Sequence, residues 1–126
     1  MIKKSERPVF LNLFQIRLPI VGIMSIAHRA AGILLFISIP FWLYVLELSL
    51  SSVEDFDRAA SLIKSLWLLP FYIILLWALI HHLLAGIRYL LLDIDIGIEK
   101  PAFRYTAQSV LYATPILVLI LLGVML

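Results

Sequence analysis

The sequence predicts an all-α integral membrane protein with three transmembrane helices. The fold class follows from three observations: 63% of the 126 residues are hydrophobic, only 14% are charged, and the mean hydropathy is +1.08. Soluble domains are typically about 45–50% apolar and about 25% charged. A chain of this length predicts one membrane domain, residues 1–126, without a separate soluble catalytic domain. We therefore expect its chemistry to occur at the bilayer or on partner chains.

Three apolar stretches are long enough to cross the bilayer. They cover about residues 21–48, 63–92 and 106–126, and each reaches the roughly 20 residues that a helix needs to span hydrocarbon. Helices are expected because an open strand would leave unpaired backbone groups in lipid. Residues 49–61 are polar and acidic, and predict a turn followed by a short amphipathic lead into the second span. Three prolines inside the spans predict kinks: Pro40, Pro70 and Pro115.

Basic residues indicate the orientation. They precede the first span and flank the link between the second and third spans: Lys3, Lys4, Arg7, Arg17, Arg88, Lys100 and Arg104. The positive-inside bias then places the N-terminal segment, residues 1–20, in the cytoplasm and the C-terminus in the periplasm. The start of the chain has neither a signal-peptide nor a transit-peptide pattern, which favours a bacterial inner membrane.

The composition also excludes several function classes. The chain has no cysteine, so disulfides, thiolate nucleophiles and cysteine-ligated iron–sulfur clusters or zinc are excluded. The net charge of +2 is small and the basic residues form no patch interleaved with aromatics, so we do not expect nucleic acid as a partner. No triad, phosphate loop or carboxylate pair indicates group-transfer chemistry.

The first span carries a polar cluster near its cytoplasmic end. Ser25, His28 and Arg29 share one helical face, and Gly32 leaves space on that face one turn further along. A guanidinium at this depth is suited to holding a propionate or polarising a quinone oxygen. The alternative is that Arg29 only extends to lipid headgroups while His28 makes a local hydrogen bond.

The second span carries His82 on the order of 15 Å from its cytoplasmic end, at 1.5 Å per residue. Antiparallel packing brings this side chain to about the depth of His28. A neutral imidazole inside a helix bundle is a suitable axial ligand for haem iron, and Gly86 one turn away lets a flat macrocycle approach. His81 is the rival ligand, but it points about 100° away, where an interhelical hydrogen bond is the favoured interpretation.

Arg88 and Asp93 lie at the cytoplasmic end of the second span. The favoured interpretation is an ordinary interfacial charge pair, and the alternative is proton delivery to a reduced quinone.

Three elements of the chain resemble the cytochrome b556 membrane-anchor family of succinate dehydrogenase, the family of C subunits. They are Arg7-Pro8 with Leu13 downstream, the S-x-x-H-R element from Ser25 to Arg29, and the H-x-x-x-G-x-R element from His82 to Arg88 followed by Asp93. The elements occur in order with the family's spacing and cover most of the chain. Departures from the family pattern are Ala31, Tyr89 and Leu92.

The resemblance implies roles for individual residues. His82 would be an axial ligand of haem b, and the opposite ligand would come from a second anchor subunit, so that the three helices form half of a heterodimeric haem-binding bundle. Ser25 and Arg29 would line a ubiquinone site with Leu18 and Ile26 as apolar walls. His28 and Arg29 would face the haem propionates.

The resemblance also implies partners. A flavoprotein subunit with FAD would oxidise succinate, an iron–sulfur subunit would pass electrons on, and this chain would dock both to the bilayer without catalysing a reaction alone. One alternative is the anchor of a quinol:fumarate reductase, which runs the reaction in reverse. A second alternative is a small non-redox membrane accessory protein.

Overall fold

The computed structural model describes residues 18–125, with side chains to residue 124, and this part of the chain contains four α-helices and no strand. The helices are α1 (Ile20–Ser51), α2 (Val53–Ile63), α3 (Leu69–Asp93) and α4 (Ala102–Met125). Three segments are long and apolar enough to cross a membrane: Ile20–Ser51, Leu66–Asp93 and Ala102–Val124. The all-α prediction with three spans is confirmed. The expected element around Arg7 and Pro8 lies outside the described residues.

Helix α1 begins directly after Pro19, whose carbonyl accepts hydrogen bonds from the amides of Gly22 and Ile23 at 2.8 and 3.1 Å. The helix continues through Pro40 and ends at Ser51, three residues beyond the predicted span. The Ser38 hydroxyl donates to the Leu35 carbonyl at 2.7 Å beside the proline. Proline therefore does not end the helix here, in keeping with its tolerance in membrane helices.

Helix α2 is a separate amphipathic helix rather than the start of the second span. The Ser52 hydroxyl accepts from the Asp55 amide at 3.1 Å and caps the helix, and Arg58 pairs with Glu54 at 2.9 Å and Asp55 at 3.2 Å. A 3₁₀ turn, Leu66–Leu68, then leads into α3. Pro70 occupies the first turn of α3, where no intrahelical amide bond is lost. The kink expected at Pro70 is therefore wrong, because this proline starts the helix.

A short loop joins α3 to α4, and Gly97 there adopts a φ of 82°, a left-handed conformation that favours glycine. Helix α4 begins at Ala102, four residues before the predicted start, and runs through Pro115.

Helix α3 packs between α1 and α4. The core where the three spans meet is made of small and flexible residues: Met24, Ala85, Ala107 and Val110. Only 11% of the most apolar part of α1 is buried inside the chain, compared with 22% for each of the other two spans. Most of the apolar surface of α1 therefore faces outward, available to lipid or to another protein.

Candidate functional site

Antiparallel packing of α1 against α3 brings two histidines together. The rings of His28 and His82 stack with centroids 4.2 Å apart and planes 11° from parallel. The expectation that the two residues lie at about the same depth is confirmed. Because the rings lie face to face, their edge nitrogens do not oppose each other across a shared metal ion. In this arrangement His28 does not supply a second axial ligand opposite His82.

One hydrogen bond sets the chemical form of the His82 ring. Its Nδ1 atom lies 3.2 Å from the backbone carbonyl oxygen of His28. A carbonyl oxygen only accepts hydrogen bonds, so Nδ1 carries the proton and donates it. In the neutral imidazole the Nε2 atom then keeps its lone pair. Metal-ligating histidines in proteins commonly have this arrangement, with one ring nitrogen tied to a carbonyl and the other free to bind.

Two glycines make room for the two rings. A Cβ atom built on Gly32 would lie 3.0 Å from Cε1 and 3.3 Å from Nδ1 of His82. A Cβ atom on Gly86 would lie 3.9 Å from Nε2 of His28. Each histidine therefore covers the glycine of the opposite helix, and each glycine lies one turn after the histidine of its own helix.

The Nε2 atom of the His28 ring is shielded from the surroundings. It is buried and has no hydrogen-bond partner among the described residues. Tyr89 of α3 packs its ring against His28 with centroids 5.2 Å apart at 61°. Tyr89 thus covers the histidine pair on the side toward the C-terminal end of α3.

His81 faces the opposite way. It is 1% exposed, and its Nδ1 atom lies 3.2 Å from the Thr114 hydroxyl on α4. The Thr114 hydroxyl also donates to the Val110 carbonyl at 2.8 Å. Trp77 stacks on the same ring at 5.2 Å. The interhelical hydrogen bond expected for His81 is confirmed.

The remaining predicted residues lie on α1 or, for Leu18, just before it. Ser25 is half-buried and Arg29 is exposed one turn further along. Leu18 is 43% exposed and Ile26 is 52% exposed. Their side chains are open toward the surroundings, so a closed pocket at this position requires walls from another chain.

Arg88 does not pair with Asp93. The guanidinium is 4% exposed and faces α4, where Nε donates to the Thr106 hydroxyl at 3.0 Å and Nη2 to the Phe103 carbonyl at 2.9 Å. Its charge also lies 4.8 Å from the centre of the Phe103 ring. Asp93 is exposed, and the salt bridges within the described residues are confined to Arg58 on α2. The expected charge pair is therefore wrong.

Comparison with known proteins identifies the family. The model for the family described as "Succinate dehydrogenase/Fumarate reductase transmembrane subunit" matches residues 3–121. A "Succinate dehydrogenase cytochrome b556 subunit" of Coxiella burnetii (strain RSA 493 / Nine Mile phase I) is 33% identical over 121 residues, covering 95% of this chain and 96% of the relative. The chain belongs to the succinate dehydrogenase/fumarate reductase transmembrane subunit family.

Other relatives in this transmembrane subunit family carry the same name. The succinate dehydrogenase cytochrome b556 subunit of Paracoccus denitrificans is 32% identical, with 96% of this chain and 93% of the relative covered. That of Rickettsia bellii (strain RML369-C) is 29% identical, with 93% and 91% covered. The similarity thus extends over nearly the whole length of each chain.

Within this transmembrane subunit, sequence reasoning missed two polar contacts to α4. Thr106 and Thr114 hold Arg88 and His81 respectively. Their spacing of eight residues places both on one face of α4, together with the buried Val110 and Val118. That periodicity was readable in the sequence, and a polar side chain on the buried face of a membrane helix signals an interhelical partner.

Proposed function

We propose that this chain is a membrane-anchor subunit of succinate dehydrogenase that binds haem b and helps to form a ubiquinone-reduction site. Family membership supports the anchor role, and the relatives' names favour succinate dehydrogenase over the reverse-running fumarate reductase. The observation that carries the haem proposal is the bond from Nδ1 of His82 to the His28 carbonyl, which leaves Nε2 as a free ligand atom.

The residues present fit a haem. Among the described residues no three histidine, cysteine, aspartate or glutamate side chains come together, so His82 suits a metal whose other ligands come from elsewhere. In a haem site His82 would hold the iron from this chain, and the second anchor subunit would supply a histidine as the other protein ligand. When bound, haem b supplies a one-electron redox centre. Arg29, which is exposed beside the pair, is better placed for the propionates than His28, whose Nε2 atom is buried.

The quinone proposal rests on Ser25 and Arg29. A guanidinium next to a quinone carbonyl oxygen stabilises the negative charge that develops there on reduction, and a hydroxyl donates a second hydrogen bond. Leu18 and Ile26 would contact the apolar part of the ring and tail. Reduction to quinol requires two electrons and two protons, and the electrons would come from succinate through the partner subunits. The exposure of Leu18, Ile26 and Arg29, with Ser25 half-buried, is consistent with a pocket that another chain completes.

Location and partners follow from the same proposal. The subunit would lie in a bacterial inner membrane with its N-terminus in the cytoplasm and its C-terminus in the periplasm. Its partners would be the second anchor, the iron–sulfur subunit with its clusters and the flavoprotein subunit with FAD. The chain alone would catalyse no reaction. The low burial of α1 supports a second anchor packed against it.

The test is a reduced-minus-oxidised absorption spectrum of the whole complex, purified through a tag on this chain. We expect a b-type α-band together with flavin in the wild-type complex, and loss of the band in H82A. A wild-type complex that contains flavin but no haem would support the anchor role and refute the assignment of His82 as a haem ligand. A purified chain with neither cofactor would instead favour a non-redox accessory protein.

A further inference from the structure

Two short elements with the same pattern face each other across the α1–α3 contact. His28 and Gly32 are four residues apart on α1, and His82 and Gly86 are four residues apart on α3. Because the helices are antiparallel, each ring meets the glycine of the other helix. We infer that Gly32 and the main-chain carbonyl of His28 form a seat for His82, which makes Gly32 a positioning residue for the proposed haem ligand. This inference rests on the proposed function.

Of the two glycines, only Gly32 is in tight contact with the ring that covers it. At Gly32 an added Cβ would approach the His82 ring to 3.0 Å, whereas at Gly86 it would meet His28 at the ordinary contact distance of 3.9 Å. The atoms approached at Gly32 are Cε1 and Nδ1, and Nδ1 is the atom that donates to the His28 carbonyl. The His28 ring, stacked at 4.2 Å, limits movement across one face of His82. A methyl group at position 32 must therefore displace the donor atom itself.

The hydrogen bond donated by Nδ1 also affects the basicity of the His82 ring. A hydrogen bond donated from Nδ1 raises the basicity of Nε2 and holds the ring in the tautomer that binds metal. A more basic ligand stabilises the oxidised iron. Lengthening this bond is expected to weaken ligation and raise the reduction potential of the haem. Loss of such an outer hydrogen bond typically lowers metal affinity about 10–100-fold.

The test compares G32A with G123A in the assembled complex. Gly123 lies in α4 with nothing within 4 Å of an added Cβ, so G123A is a matched glycine-to-alanine change in a membrane helix. Alanine favours helix more than glycine, so neither substitution weakens its own helix. For G32A we expect haem affinity to fall about 10–100-fold and the midpoint potential of the remaining haem to rise. G123A should match wild type in both properties. Wild-type haem affinity and midpoint potential in G32A would refute the inference that Gly32 positions His82.

A measurement on the wild-type complex keeps the inference testable if G32A does not assemble. Pulsed electron paramagnetic resonance with ¹⁵N-labelled histidine reports both the iron-bound and the remote nitrogen of each axial ligand. We expect one ligand to have Nε2 on iron and an exchangeable proton on Nδ1, and the whole haem signal to be lost in H82A. Iron bound through Nδ1, or a remote nitrogen without a proton, would overturn the seat while leaving His82 as the ligand. Haem signals unchanged in H82A would overturn the proposed function itself.

Discussion

The Nδ1 atom of His82 lies 3.2 Å from the carbonyl oxygen of His28, and the ring of the same His28 covers His82 at 4.2 Å. One residue of α1 thus fixes both the tautomer and one face of the ring on α3. The side chain and the main chain of His28 act on His82 separately, so substitutions of the His28 side chain leave the carbonyl acceptor in place.

Arg29 is predicted to act on quinone reduction and not on upstream electron transfer. We expect R29A to lower succinate–ubiquinone activity by roughly 10²-fold, the usual loss when one donor to a developing negative charge is removed. R29K should lose less, because lysine keeps the charge without the planar arrangement of donors. S25A should also reduce this activity.

The measurement for Arg29 and Ser25 is the ratio of ubiquinone activity to activity with a dye that takes electrons before the membrane domain. R58A is the control, because Arg58 makes only exposed ion pairs on α2. Quinone activity at the wild-type level in both R29A and S25A would refute the site.

Replacing Arg88 with lysine is predicted to cost more stability than replacing it with an apolar residue. Its guanidinium bonds the Thr106 hydroxyl and the Phe103 carbonyl together, which a single ammonium does not reproduce. We expect R88K to destabilise the complex by about 1.5–3 kcal/mol, the range for hydrogen bonds to charged groups. R88M should cost less, because it leaves no buried charge.

Thermal unfolding of the detergent-solubilised complex measures this difference, with R104K at an exposed position of α4 as the control. Haem content should stay at the wild-type level in R88M, since Arg88 faces α4 and not the histidine pair. Equal stability of R88K and wild type would contradict the prediction that the Arg88 guanidinium stabilises the contact between α3 and α4.

Thr114 is predicted to stabilise the contact between α3 and α4 through His81. T114V keeps the shape of the side chain but removes the hydroxyl that bonds His81 Nδ1. We expect a loss of about 0.6–1.7 kcal/mol, the average to the maximum measured for such bonds in a membrane protein. T114S keeps the hydroxyl and should have the stability of the wild type. Both variants should keep haem, because His81 points away from His82. Loss of haem in T114V with intact assembly would instead implicate His81 in ligation.

The spans were predictable because hydropathy depends on composition alone, and α1, α3 and α4 follow the apolar stretches to within a few residues. The error at Pro70 has a local cause: the apolar residues before it, Leu66–Leu68, form a 3₁₀ turn, so the α-helix begins only at Leu69. Periodicity predicts Ser25, His28 and Arg29 on one helical face, but His28 packs inward against α3 whereas Arg29 is exposed.

The contacts between helices were less accessible. Arg88 and Asp93 are five residues apart, which separates them by about 140° around a helix, so they do not share a face. Their opposite charges were a weaker guide than this angle. The acceptor for His82 is a main-chain carbonyl, and every residue of α1 has one, so no residue type in the sequence identifies it.

The seat of His82 lies wholly within one polypeptide, and this bears on the order of assembly. Folding of α1 against α3 already orients the imidazole and fixes Nδ1 as its protonated nitrogen, so no further ordering of this side chain would be needed to capture the proposed cofactor. Under the proposed function, the newly inserted subunit would therefore be a half-site with its own ligand ready. Assembly would then contribute an encounter within the plane of the bilayer, in which the proposed second ligand arrives on another chain.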